Sequence, residues 1–389
     1  MRARTFLAIA SWVVFLSSGV HAGDSVLYSV TTSESHSGIP VVKTQVFKTE
    51  IFAVDAETGK QRLVFSDANV SFFLMPGGRL RGGIVAAGGK IFAEGIEPVQ
   101  SAAHTPKFDP AAPAAIYELS TDGSGQARKV FDTVRGEQSV NCGSQFLNSS
   151  GSEIGSVNYL QGKYYLVVCD TATGKLLRNS QLKYGSEERR GWRFGSISRI
   201  GWMTDDKRIF FTIELAGDSD DAWWDHAGSP VGTYVLGPDA DTGVRLAPEA
   251  ALHPRIVGMQ PSDESAAVLI GTLPDGGYLL QDYEGDTNGA GGPYFYELDL
   301  ASKTQKIFPL RVDGDLGSFH LSHSGNRLVL MATQKEIAKQ PSFASIATLS
   351  VWIMDLESGK QRKLLSFPPH DETHGADGPW VNLIGWLGN

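Results

Sequence analysis

Short alternating runs of apolar and polar residues fill this chain, each broken by a tight polar cluster. Residues 51–67 read "IFAVDAETGKQRLVFSD" and residues 351–367 read "VWIMDLESGKQRKLLSF". In each, an alternating run predicts a half-buried strand. A cluster with Asp and Gly follows, where Gly takes positive φ and Asp bonds its own backbone. A second short run then closes an antiparallel hairpin. Similar stretches begin at Ile116, Tyr164, Thr233 and Phe295, giving six copies spaced by roughly 50 to 70 residues, the mark of a repeat architecture.

A second kind of hairpin lies between copies. "SISRIGWMTDDKRIFFTIE" (196–214) reads strand, polar turn at 204–207, strand, and "SFHLSHSGNRLVLMAT" (318–333) repeats it. "LRGGIVAAGGKIFAEGI" (80–96) and "RIVGMQPSDESAAVLIGT" (255–272) are read as looser versions. An inner plus an outer hairpin makes a four-stranded sheet. Six such sheets around an axis predict an all-β, six-bladed β-propeller of four-stranded antiparallel blades. The ends fit closure. "SVLYSV" (25–30) lacks an inner partner, and "WVNLIGWLG" (380–388) resembles an inner strand and then stops. The C-terminal strand should therefore complete the N-terminal blade and remove its open edge.

The inner "IGWMTDDKRIFFT" and outer "IMDLESGKQRKLL" hairpins resemble the repeats of TolB-like six-bladed propellers, and also the propeller domains of prolyl-oligopeptidase relatives. The likeness implies an architecture and a binding-scaffold role. It brings no hydrolase domain, since no G-x-S-x-G stands between a strand and a helix.

The first residues change the compartment. A basic start (1–4), the apolar run "FLAIASWVVFL" (6–16), and Val20 and Ala22 at small-residue positions read as a signal peptide, residues 1–22, leaving a propeller domain of 23–389. A periplasmic or secreted protein follows, with no integral membrane segment after cleavage. In that compartment Cys142 and Cys169 suggest one disulfide. An ideal third blade would put the two at opposite ends of the sheet, beyond the reach of about 7 Å that a bridge needs. A bridge therefore requires an irregular blade around residues 141–159. Net charge is −9, which disfavours nucleic acid as a partner.

Turns within hairpins should be short and share one face. Links at 31–49, 97–115, 216–231, 273–292 and 334–350, with inter-blade segments at 133–141, 183–194 and 368–379, should crowd the other, the usual place for binding. "GDSDDAWWDHAGSP" (217–230) either offers Trp223, Trp224, Asp225 and His226 to a sugar, peptide or aromatic ligand or plugs the core with its Trp residues. Glu284, Asp286 and Asn288 alternate before Gly289. They read as half a calcium loop or as a solvated turn, so calcium is the one cofactor considered. His370 and His374 have the spacing of a transition-metal pair, in a segment whose Gly and Pro oppose a helix, and Trp380 closes that segment. His320 falls on an inner strand and is expected to face the channel, with Arg199 and His253 near comparable positions. Such residues serve an anionic ligand, a metal or a general base, or hydrogen-bond trapped water.

Two functions follow, beside a blander reading as a structural envelope protein with no dedicated ligand. One is a monomeric exported scaffold that binds a protein, peptide or glycan through its loop face. The other is a metal-assisted hydrolase, lactonase or lyase with its site at the channel mouth, which requires several polar groups from different blades to converge.

Overall fold

The computed structural model describes residues 24–36, 44–66, 71–72, 83–96, 114–133, 142–161, 163–184, 196–214, 231–247, 252, 267–283, 293–308, 310, 315–337, 345–368, 370–371 and 380–388. These form six antiparallel sheets arranged as a propeller.

Blade 1 runs, from the axis outward, Trp380–Trp386, Ser25–His36, Thr44–Asp55 and Gln61–Ser66. Val30 pairs Val381 and Val26 pairs Trp386, so the tail closes the blade the N-terminus begins, as the pattern predicts. Blade 3 consists of Phe146–Leu147, Glu153–Leu160, Lys163–Asp170 and Leu176–Gln181. Blade 4 consists of Ser196–Trp202, Ile209–Glu214, Gly232–Leu236 and Thr242–Arg245. Blade 6 consists of Asp315–Leu321, Arg327–Ile337, Ser345–Asp355 and Gln361–Ser366.

The repeated turn has one chemistry. Asp55 accepts from Thr58 N and Oγ1 at 2.6 and 2.7 Å, Asp170 from Thr173 at 2.8 and 2.5 Å, and Asp355 from Ser358 at 2.8 and 2.6 Å. The next residue, Gly59, Gly174 or Gly359, takes φ near +70°. The near-identical stretches at 51–67 and 351–367 are thus the same outer hairpin in blades 1 and 6, neighbours across the seam.

Several elements depart from the expected plan. The inner strand of blade 2 is split into Ser71–Phe72 and Ile84–Ala87, both pairing Lys90–Ile96. The inner hairpin of blade 5 joins Val268–Thr272 to Tyr278–Tyr283, not residues 255–272. The Pro274-Asp275-Gly276 turn is the stronger one: Gly276 has φ +92° and Gly277 N donates to Asp275 at 3.0 Å. Links expected at 31–49 and 334–350 are largely strand, because the second and third strands of blades 1 and 6 extend to 11 or 12 residues. Lys183–Tyr184 adds a parallel fifth strand to blade 4, and His370–Asp371 pairs Ile346–Ala347.

Blades meet through apolar clusters. Val26, Trp386, Val329 and Val351 pack between blades 6 and 1. Ile51, Phe65, Ile91 and Tyr117 do so between blades 1 and 2, and corresponding clusters fill the remaining gaps. Cys142 lies in the gap between blades 2 and 3 beside Phe92 and Ile154. It bonds to Cys169 with Cα atoms 6.2 Å apart. The geometric objection falls because the inner strand of blade 3 is only two residues long, which leaves Cys142 outside the ladder.

On the short-turn face the inner turns interlock around the ring. Gly89 N donates to Leu387 O at 3.1 Å between blades 2 and 1. Gly88 abuts Ser150 between blades 2 and 3. Ser149 N donates to Asp206 at 2.9 Å between blades 3 and 4, and the Thr204 and Thr272 hydroxyls join blades 4 and 5. Gly325 packs on Thr272 and Pro274 between blades 5 and 6. Trp386 Nε1 donates to His320 O at 3.0 Å and completes the circle.

Candidate functional site

Between blades 3 and 4, at the end away from the inner turns, lies a cleft of about 410 Å³. Blade 3 contributes Gln145, Val157, Tyr159 and Tyr164, and blade 4 contributes Ile197, Arg199 and Ile200. Each wall has a local cause. Gln145 replaces a missing stretch of inner strand: its Oε1 accepts from Val157 N at 2.8 Å and its Nε2 donates to Val157 O at 3.4 Å. Tyr159 and Tyr164 pair directly across the hairpin, with ring centroids 4.9 Å apart and planes tilted by 50°. Tyr159 is 53% exposed, a large aromatic surface left open at the rim. Tyr164 is tied to the backbone of Ile197, and burial, then its tyrosine neighbour, push its hydroxyl pKa up. A bulge between Ile197 and Arg199 re-aims the first strand of blade 4 so that both side chains line the cleft.

Arg199 is the charge of the site. Its guanidinium carbon lies 4.6 Å over the ring of Phe319 from blade 6, which in turn meets Phe295 edge-on at 5.2 Å. Burial lowers the Arg199 pKa to about 10, so it stays cationic at neutral pH. Among the described residues no carboxylate forms an ion pair with it. His320 follows Phe319. Burial first, then the Arg199 charge, lower its pKa to about 4, leaving a neutral imidazole at pH 7 that hydrogen-bonds the backbone of Leu383. A Cβ at Gly385 would stand 3.5 Å from that ring, so His320 is held against the closing strand of blade 1. The inner strands of blades 4 and 6 thus bring Arg199 close to Phe319 and His320.

The other sequence-derived candidates are placed differently. Trp223, Trp224, Asp225, His226, His253, Glu284, Asp286, Asn288 and His374 lie outside the described residues. The backbone of His370 pairs Ala347, and that of Trp380 pairs Thr31. Among the described residues, no group of three His, Cys, Asp or Glu is arranged to hold a metal. Sequence reasoning missed Gln145, Tyr159 and Tyr164. The signal lay in "NYLQGKYY" (158–165), where tyrosines flank a short turn in the least regular repeat.

No protein-family model matches the chain, and no curated protein does. Solved structures do resemble it. A putative TolB from Agrobacterium tumefaciens is 12% identical, covering 93% of this chain and 99% of that one, with a TM-score of 0.46. TolB from Acinetobacter baumannii is 14% identical over 86% and 68%, with a TM-score of 0.39. A putative 6-phosphogluconolactonase from Bacteroides fragilis is 12% identical over 92% and 98%, with a TM-score of 0.44. At these values the likeness carries no argument about activity, and the architecture rests on the strand order itself. Among the described residues, no helix is long and apolar enough to cross a membrane.

Proposed function

We propose that this protein is an exported binding scaffold that holds its ligand at the long-loop mouth of the channel, in the cleft between blades 3 and 4. The observation that carries this reading is the exposed Tyr159, paired with Tyr164 on the wall of a cleft of about 410 Å³ that Arg199 also lines. Exposed aromatic pairs beside convergent polar groups are the usual make-up of a recognition site. The ligand is a peptide end, a glycan unit or a comparable group presented by a partner. Residues 1–22 serve as the export leader, and the Cys142–Cys169 bridge suits an oxidising compartment.

The test is retention. Purified protein is incubated with an extract of the host envelope, washed and denatured, and the released molecules are identified by mass spectrometry. Tyr159→Ala changes a half-exposed rim residue and should cost under about 1 kcal/mol of stability. The expected result is that the variant releases less than a tenth of the ligand retained by the wild type. Equal retention by both would remove the cleft as the site.

A further inference from the structure

Arg199 raises a question of charge. A partly buried guanidinium is costly to leave without an anion, yet among the described residues none pairs with it. Its one described contact is the face of Phe319, at 4.6 Å. A guanidinium carries five N–H donors in one plane, more than one ring face can take up. Arg199 lines the cleft. Val157, Ile197 and Ile200 line the cleft beside it and offer no competing charge. The neighbouring His320 is neutral at pH 7 and adds no second positive charge.

We propose that the cleft takes a small ligand bearing a carboxylate or phosphate group, bound by the guanidinium of Arg199, with a ring-sized body lying against Tyr159 and Tyr164. This assignment rests on the reading of the cleft as the ligand site. The planar fork of donors matches both oxyanions, and a volume of 410 Å³ suits a monosaccharide-sized group at the small end of ligand sites.

The experiment titrates D-glucose, D-glucuronate, D-glucose 6-phosphate and inorganic phosphate into the full chain by calorimetry at pH 7.5 and low salt. At least one anionic sugar should bind about tenfold or more tighter than glucose. The better of glucuronate and glucose 6-phosphate tells carboxylate from phosphate. Arg199→Gln should weaken that binding about tenfold or more while changing the melting temperature little, since Gln keeps a polar side chain at a partly exposed position on the cleft wall. Arg199→Lys, which keeps the charge without the fork, should fall between. Equal binding of glucose and the anions, no binding of any anion, or unchanged anion affinity in Arg199→Gln would each overturn the assignment. Should Arg199→Gln fail to fold, the wild type decides alone: the preferred anion must raise its melting temperature where glucose does not. The two readings fail separately. If glucose and glucuronate bind equally and Tyr159→Ala loses both, the cleft stands and the anion preference falls. If anion binding needs Arg199 but ignores Tyr159→Ala, the anion site stands and the reading of the tyrosine pair as the recognition surface falls.

Discussion

The indole Nε1 of Trp386 donates a 3.0 Å hydrogen bond to the backbone oxygen of His320. The first lies in the last strand of the chain and the second in the innermost strand of blade 6, so this bond fastens the ring's seam. It also fixes the backbone of the residue beside Phe319, on which Arg199 rests. Closure of the fold and placement of the candidate site are therefore one structural fact.

Loss of this contact should be costly. Trp386 is 3% exposed, and Trp386→Ala should destabilise by about 3–5 kcal/mol through the cavity it leaves. Trp386→Phe should cost about 1–2 kcal/mol, mostly from the orphaned carbonyl. Deleting residues 380–389 should go further and leave the inner edge of Ser25–His36 open to aggregation. Denaturant unfolding and light scattering check all three. A truncated chain that stays monomeric with unchanged stability would contradict the closure.

The interlocked turns predict a contrast between two glycines. Gly59 has φ +70° with open space where a Cβ would stand, so Gly59→Ala should cost only the left-handed penalty of about 1–2 kcal/mol. Gly88 has φ +56°, and a Cβ there would overlap the Ser150 carbonyl of the next blade. Gly88→Ala should therefore cost clearly more, read by urea unfolding of the two variants side by side. Equal costs would mean that the turns do not bear on one another.

The Cys142–Cys169 bridge closes a loop of 27 residues. Constraint of the unfolded chain by a loop of that length is worth about 3.5 kcal/mol. Cys142→Ala with Cys169→Ala, or reduction of the wild type, should lower stability by about that much. Thiol titration of the purified, unfolded protein should find no free cysteine before reduction.

Acid should weaken the fold through His320. Its folded pKa of about 4 lies below the ordinary value of 6.5, first through burial and then through the Arg199 charge. Between those values the unfolded chain takes up a proton that the folded protein refuses. The stability is whole above pH 6.5 and is lost as pH falls toward 4, a span worth about 3 kcal/mol. Burial shifts His323 the same way and adds to the slope. Melting temperatures from pH 7 to 4.5 should fall less steeply in His320→Gln. An unchanged slope would place the acid sensitivity elsewhere.

The blade count, the outer hairpins and the seam were legible in the sequence, because alternation and the Asp-x-x-Thr/Ser-Gly turn are local chemistry repeated. The inner hairpin of blade 5 was misplaced because two turn-like clusters compete, and the Pro274-Asp275-Gly276 turn prevails. The cleft was only half legible. Arg199 and His320 stood out as polar residues on inner strands. Tyr159 and Tyr164 did not, since their role depends on the shortened strand Phe146–Leu147 and on a bulge in the next blade. Neither irregularity leaves a periodic trace.

The most direct check is native mass spectrometry of the protein purified gently from its own host compartment. The expected result is a wild-type species heavier than the apo mass by a few hundred daltons. That increment should be released as a negatively charged molecule and should be missing from both Arg199→Gln and Tyr159→Ala. A wild type bound to a neutral molecule, or an increment kept by both variants, would contradict the assignment of the cleft as an anion-recognising site.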